Sequence, residues 1–549
     1  MGEKRRTLIV NAGLRFSSIL LQGCSGGIAV LSDTQVEASG TPPVQPESSR
    51  FLPDRLLYTL YALALGVSVS IWFLAIRAPL WLDETVSFFT IKGGVAQMLS
   101  RQGWPGVPAY PFLLWLWIKG MGTGEITLRM LSVLAMLGAA YLLYRAAREL
   151  FDRDVAIVAA VVFCLHPVVI FESIDIRPYA FAALAITSSI FLLLRLRHNN
   201  APWLAALFGF SAACIVYFQF LFVVILPALA LCLFSLRASD RKTYWRRVGI
   251  ALGTFALVFL PVLPGLRYMF HTSGTHVFSE VPKLSYLGQV FAQKRMLYPF
   301  AAIVLLAAAT RRLHLRSRLE LWPVLLCISL ALIPALTLYG VSVETSIHIF
   351  VFRYRLVAVP GVALCWALAI SRIDSRGLRL LFCAVIVAIT AFIYVKSPAS
   401  RTHDYTWKYA LDAVEKNASA DGAPVVICSD LPESDYLPIP SGAAAKDSAL
   451  FAPLSYYQLT VPVVPLPRGL NDKAKQAGSQ FLKEAAQRHQ RFLAVGFMAS
   501  WETLDWLVDA TDDVYSAREL GMFNGIRVLE FTPVAPPVPA LVPGLDRSR

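Results

Sequence analysis

Eleven apolar runs dominate this chain and leave few folds open to it. They begin near residues 57, 127, 155, 178, 202, 221, 248, 296, 320, 356 and 378. A membrane-spanning helix needs about 17–25 mostly apolar residues, and in hydrocarbon every backbone N–H and C=O must find its partner inside the protein. Helical spans joined by short loops satisfy both demands. Charged residues make up 16% of the chain, against about a quarter in soluble domains, and the mean hydropathy is +0.57. The fold class expected is therefore a polytopic α-helical membrane protein with about eleven transmembrane helices.

The net charge of +14 does not point to nucleic acid. Its basic residues fall in short clusters between apolar runs: Arg145 and Arg148, Arg195 and Arg197, Arg237 to Arg247, Arg311 to Arg318, Arg372 to Arg379. That is the footprint of cytoplasmic loops, which collect Lys and Arg. With the N-terminus inside, these clusters follow the even-numbered spans, and the loops 77–126, 172–178, 271–295 and 341–355 face outward with the C-terminal region. The expected location is a bacterial inner membrane, multi-pass, with a periplasmic or otherwise extracytoplasmic C-terminal domain.

Residues 1–50 mix basic, Gly, Ser and Pro residues without a period and read as a disordered N-terminal tail. The transmembrane region is set at 51–395. Beyond it charge returns, and strand-like runs at 424–427, 492–495 and 526–529 alternate with helical stretches at 404–416 and 476–490. This predicts a soluble α/β domain over 396–532 and a Pro-rich tail over 533–549. Six of the eight cysteines lie in apolar runs and Cys428 stands alone downstream, so no disulfide framework is available.

Chemistry-bearing residues gather in the outward loops. The first loop opens Trp81-Leu82-Asp83-Glu84-Thr85, two adjacent carboxylates at the membrane boundary. The segments 85–100 and 108–121 then read as helices lying in the interface plane. The next loop runs from His166-Pro167 to Glu172, Asp175, Arg177, Pro178 and Tyr179. A third group comprises Glu344, His348, Arg353, Tyr354 and Arg355. Each has a plain structural alternative: Asp caps helices, tight loops need polar residues, and Arg and Tyr anchor at headgroup depth. A lone His, here His348 or His271, is more often neither ligand nor catalyst. The three loops nevertheless share one face, while the span centres are nearly free of charge.

Acids and cations together at an interface suit sugar transfer from a lipid phosphate. Asp83, with Glu84 beside it, is the expected catalytic pair, Asp83 being the base for an acceptor hydroxyl. Arg177, Tyr179, Arg353, Tyr354 and Arg355 are candidates for holding the departing phosphate, with Glu172 and Asp175 as supporting acids. Glu84 and His348 are the candidate metal ligands.

These motifs resemble the GT-C glycosyltransferases. Trp81-Leu82-Asp83-Glu84 is similar to their Asp-Glu signature after the first span. Gly124-Glu125-Ile126-Thr127-Leu128-Arg129-Met130-Leu131-Ser132 resembles the pattern opening their second span. Ile176-Arg177-Pro178-Tyr179-Ala180 resembles their Arg-Pro-Tyr turn, and Phe352-Arg353-Tyr354 with Pro360 a later segment. The nearest resemblance is to dolichyl-phosphate-mannose–protein mannosyltransferases and lipid A aminoarabinose transferases, over residues 57 to about 395. It implies a polyprenyl-phosphate sugar donor, a hexosyl- or pentosyltransferase, and inversion at the anomeric carbon. It implies a periplasmic lipid, polysaccharide or protein as acceptor. Members differ in metal use, so a divalent ion (Mg, Mn or Zn) stays open. The alternative functions are a flippase-like lipid or polysaccharide transporter, which would need polar residues along a midplane path, and a non-catalytic envelope-binding protein.

Overall fold

In the computed structural model the described residues are 53–102, 109–236, 240–265, 267, 280–313, 320–397 and 406–534. The expected N-terminal tail, His271 and residues 535–549 of the Pro-rich tail lie outside them. Pro533 itself closes the last strand.

All eleven predicted starts fall on a helix or one residue before it, but length and composition establish fewer spans. Seven helices among the described residues are long and apolar enough to cross a membrane: Asp54–Ala75, Glu125–Leu150, Tyr179–His198, Arg241–Gly265, Leu321–Glu344, Arg353–Ile370 and Arg376–Lys396. The bent pair Leu284–Phe291 and Lys294–Ala309 makes an eighth if it is one span. The remaining three starts correspond to Arg153–Cys164, Pro202–Phe218 and Phe220–Phe234, which are shorter. Arg153–Cys164 is buried on nearly every side, and a helix enclosed by its neighbours reads as apolar all round whatever its length. Length and composition do not establish these three as spans.

Small residues let the helices approach closely. A Cβ on Gly209 would meet the Ala251 carbonyl, and one on Gly361 would meet the backbone of Leu330 and Ala331. Close backbone approach of this kind is how helices gain packing in the absence of a hydrophobic drive between them. The Trp72 indole ties the first span to Cys164 O at 2.9 Å.

The loop after the first span holds three helices rather than the two expected: Leu82–Ile91, Val95–Gln102 and Ala109–Met121. They pack with Leu80, Leu128 and Ile176 into a small cluster of their own.

The C-terminal region contains a five-stranded sheet: β1 Val425–Cys428, β2 Val463–Leu466, β3 Phe492–Phe497, β4 Tyr515–Phe523 and β5 Ile526–Pro533. Strand order is β2-β1-β3-β5-β4. β1 pairs in parallel with β2 and β3, and β5 runs antiparallel to β3 and β4. Helices Lys408–Ala418, Asp472–Gln487 and Trp501–Asp509 cover it. β2 and β4 escaped the sequence reading because both are edges. Pro465 is tolerated at the edge where it would interrupt a central strand, and the exposed Arg518-Glu519 of β4 breaks the apolar pattern.

This sheet domain docks on the first loop. The Tyr457 hydroxyl accepts from Leu80 N at 2.6 Å and donates to Glu125 at 3.1 Å. Tyr456 donates to Thr123 O and packs edge-on against Phe88. Arg101 pairs with Asp447 at 2.9 Å, and Trp81 forms an isolated antiparallel bridge with Thr406.

Candidate active site

Asp83 stands in the first turn of the Leu82–Ile91 helix, where unpaired N–H groups favour negative charge. The cap residue is Trp81, not the aspartate. Arg353 donates Nη1 to Asp83 Oδ2, and Arg177 Nη2 lies 3.8 Å from the same oxygen. Three segments far apart in sequence thus converge on one carboxylate, which keeps 19% of its side-chain surface open to solvent. The Arg353 guanidinium also stacks over the Trp81 ring, 5.7 Å from its centroid. Tyr179 and Tyr354 form a tilted pair 6.2 Å apart, within electrostatic reach of Arg353.

Glu84, expected beside Asp83 in the catalytic pair, has a different task. Successive helix residues point about 100° apart, so Glu84 turns inward where Asp83 turns out. It is fully buried and paired with a fully buried Arg129: Nε to Oε1 at 2.9 Å and Nη2 to Oε2 at 2.6 Å. The Trp81 and Ile176 amides donate to the same carboxylate. Arg129 also reaches the carbonyls of Ile76, Ala78 and Pro79. This pair locks the first loop onto the Glu125–Leu150 helix and sets the position of Asp83.

Glu172 and Asp175 are buried, not solvent-facing. Neither Glu172 oxygen has a hydrogen-bond partner among the described residues, and Asp175 uses only Oδ1, which accepts the Trp81 indole at 3.0 Å. Burial, then the charge of Asp175, holds the Glu172 carboxyl far toward its neutral form. Burial, then Glu84, raises Asp175, with the Trp81 bond opposing. Burial disfavours the charged form of Arg177, but Asp83, Tyr179 and Asp175 together outweigh it and the guanidinium stays protonated.

Arg355 is not brought to Asp83. It follows Arg353 by two residues in a 3₁₀ turn, whose period of three sends the side chains in different directions. It stacks instead on Phe350 at 4.9 Å and Tyr286 at 5.3 Å. His348 binds the Ser342 carbonyl through Nδ1 at 2.8 Å, at the end of its own helix.

The two candidate metal ligands do not form a metal cluster among the described residues. Both Glu84 oxygens are taken by Arg129 and backbone amides, and His348 meets the Ser342 carbonyl through Nδ1. Among the described residues no three His, Cys, Asp or Glu side chains group to hold a metal. What the arrangement offers is a carboxylate base with two guanidiniums aimed at it, walled by aromatics.

Sequence reasoning missed Arg129, although it lies in the segment already singled out. A charge inside an apolar run, four residues after Glu125, was the available signal.

Residues 105–268 match the family described as dolichyl-phosphate-mannose-protein mannosyltransferase. No curated protein matches the sequence. Among solved structures the chain is similar to ArnT from Cupriavidus metallidurans bound to undecaprenyl phosphate, at 12% identity and TM-score 0.52, over 87% of this chain and 98% of that one. The same protein in its apo state gives 12% identity and TM-score 0.50, over 86% and 98%. The helical bundle, its loop of three helices and the docked sheet therefore share the fold of the ArnT structure.

Proposed function

We propose that this chain is a glycosyltransferase that moves a sugar from a polyprenyl-phosphate donor to an acceptor hydroxyl at the periplasmic face of a bacterial inner membrane. The observation that carries the reading is the Asp83 carboxylate bracketed by Arg177 and Arg353. The undecaprenyl phosphate in the solved ArnT structure supports the donor class. In this reading residues 51–395 form the catalytic region and 396–532 the α/β domain, whose last strand the structure extends to Pro533.

In the resting site the two arginines hold Asp83. The donor's phosphodiester, one negative charge shared over two oxygens, competes with Asp83 for both guanidiniums, so donor binding frees Asp83. Asp83 then takes the proton of the acceptor hydroxyl as its oxygen attacks the anomeric carbon. The bond from that carbon to the phosphate oxygen breaks, and the phosphate leaves with the electron pair, its charge met by Arg177 and Arg353. Attack opposite the leaving group inverts the anomeric configuration. Glu84 and Arg129 hold the loop and touch neither substrate.

The test is direct. Purified full-length protein is incubated with radiolabelled polyprenyl-phosphate sugars, one hexosyl and one pentosyl, and an envelope glycolipid and polysaccharide extract. Label should pass from one donor into the extract. Movement of the intact donor across a vesicle bilayer, with no transfer from either sugar, would overturn the proposal.

A further inference from the structure

The sheet of the C-terminal domain has a topological switch point. After β1 the chain crosses to one side of it to make β2, then back over to the other side to make β3, giving the order β2-β1-β3 with all three strands parallel. Connections leaving in opposite directions part at the carboxyl end of the central strand, and ligands of open α/β sheets bind in the crevice this creates. Ser429 and Asp430 stand at that position, directly after Cys428, and Arg468 lies two residues beyond the end of β2. A small cleft there is lined by Trp407, Ser429, Asp430, Leu450, Phe451 and Pro453.

This end of the sheet meets the Asp83 site. Thr406, next to Trp407, bridges to Trp81, two residues before Asp83. Thr406 is itself held by the Asn524 side chain at 2.7 Å, from the turn joining β4 to β5. The Tyr457 hydroxyl fixes Leu80 from the same domain. Asp430 is 8% exposed, and Trp407, next to the bridging Thr406, lines the same cleft. Burial, with Asp83 adding to it, raises the Asp430 carboxyl to about 6, against the opposing effects of Trp407 and Arg468. At neutral pH it is still ionised.

We propose that Asp430 is an acceptor-binding residue, accepting a hydrogen bond from one hydroxyl group of a sugar-bearing acceptor and so holding the attacking oxygen near Asp83. An ionised carboxylate only accepts, and the cleft beside it, about 10 Å³, admits one hydroxyl. It also repels phosphate, so the wall formed by the sheet domain is separated by charge from the arginine side, where the donor phosphate belongs. The inference rests on the transferase reading. It adds the chemistry of the acceptor and the domain that recognises it.

Asp430→Asn and Asp430→Ala in the full-length protein test it, with the radiolabelled donor and the envelope glycolipid extract as acceptor. One charge-assisted hydrogen bond lost should raise the acceptor KM by about tenfold or more in the Ala variant, and raise it further than the donor KM. Asp430→Glu should restore part of the loss. An unchanged acceptor KM in both variants overturns the assignment. So does a loss shared equally by donor and acceptor KM with a matching fall in melting temperature, which marks a structural residue. If the unaltered protein transfers no sugar at all, the transferase reading fails and this inference falls with it. If it transfers and the variants match it, only Asp430 is discarded.

Discussion

Removing Glu84 should unfold the site before it disables the chemistry. In Glu84→Ala the Arg129 guanidinium stays at zero exposure with three carbonyls but no counter-charge, and the Trp81 and Ile176 amides lose their acceptor. Deleting one partner of a buried ion pair costs about 3–5 kcal/mol, which predicts a melting temperature lower by roughly 5–10 °C. Replacing both partners, as Glu84→Ala with Arg129→Met, removes the stranded charge. The double variant should therefore be more stable than Glu84→Ala, by about 2 kcal/mol or more. Thermal unfolding of the detergent-solubilised protein reads the four members of the cycle, and sugar transfer is measured well below every melting point. The decisive case is Glu84→Gln, which keeps shape and one acceptor oxygen. If Glu84→Gln melts like the unaltered protein yet transfers no sugar, Glu84 takes part in the reaction and its positioning role is wrong.

Arg177→Ala and Arg353→Ala should each raise the donor KM or lower turnover by about tenfold or more, with a smaller effect on acceptor KM; unchanged donor kinetics in both would remove the phosphate site. Tyr457→Phe removes the acceptor for Leu80 N and the donor to Glu125 while keeping the ring. It should cost about 1–2 kcal/mol in melting experiments, and unchanged stability would show that this hydroxyl does not hold the domain down. His166 is buried and neutral, lowered to about 3 by burial and then by Arg295. The unfolded chain binds that proton more tightly, so its stabilisation is complete above about pH 6.5 and is lost as the pH falls toward 3. At pH 5 the loss is about 2 kcal/mol. His166→Asn, which can still cap Val168 N, should flatten the pH dependence of melting between pH 7 and 4.5; parallel curves would contradict this.

The helical membrane class and the regions that carry the site were legible because period and charge bias act over long stretches. Convergence of Asp83, Arg177 and Arg353 could be expected from shared sidedness, without any knowledge of distance. What sequence could not supply was the direction of neighbouring side chains. Asp83 and Glu84 looked like a pair, and Arg353 and Arg355 like another, until the helical and 3₁₀ rotations separated them. Length and composition establish fewer spans than there are apolar runs, because a helix enclosed by protein and one facing lipid share an apolar composition. Asp430 carried no local signal at all. Its significance comes from strand order and from the docking of Thr406 on Trp81, both set by contacts between distant parts of the chain.

The most direct test of the central claim is the single-turnover rate of sugar transfer by Asp83→Asn, with donor and acceptor both saturating. Asparagine keeps the size of the side chain and cannot take the acceptor proton. Transfer should fall by about a hundredfold or more, with melting temperature within a few degrees of the unaltered protein and the polyprenyl-phosphate donor still bound. A rate close to that of the unaltered protein would remove Asp83 from the mechanism and leave Arg177 and Arg353 bracketing a carboxylate with no part in the transfer.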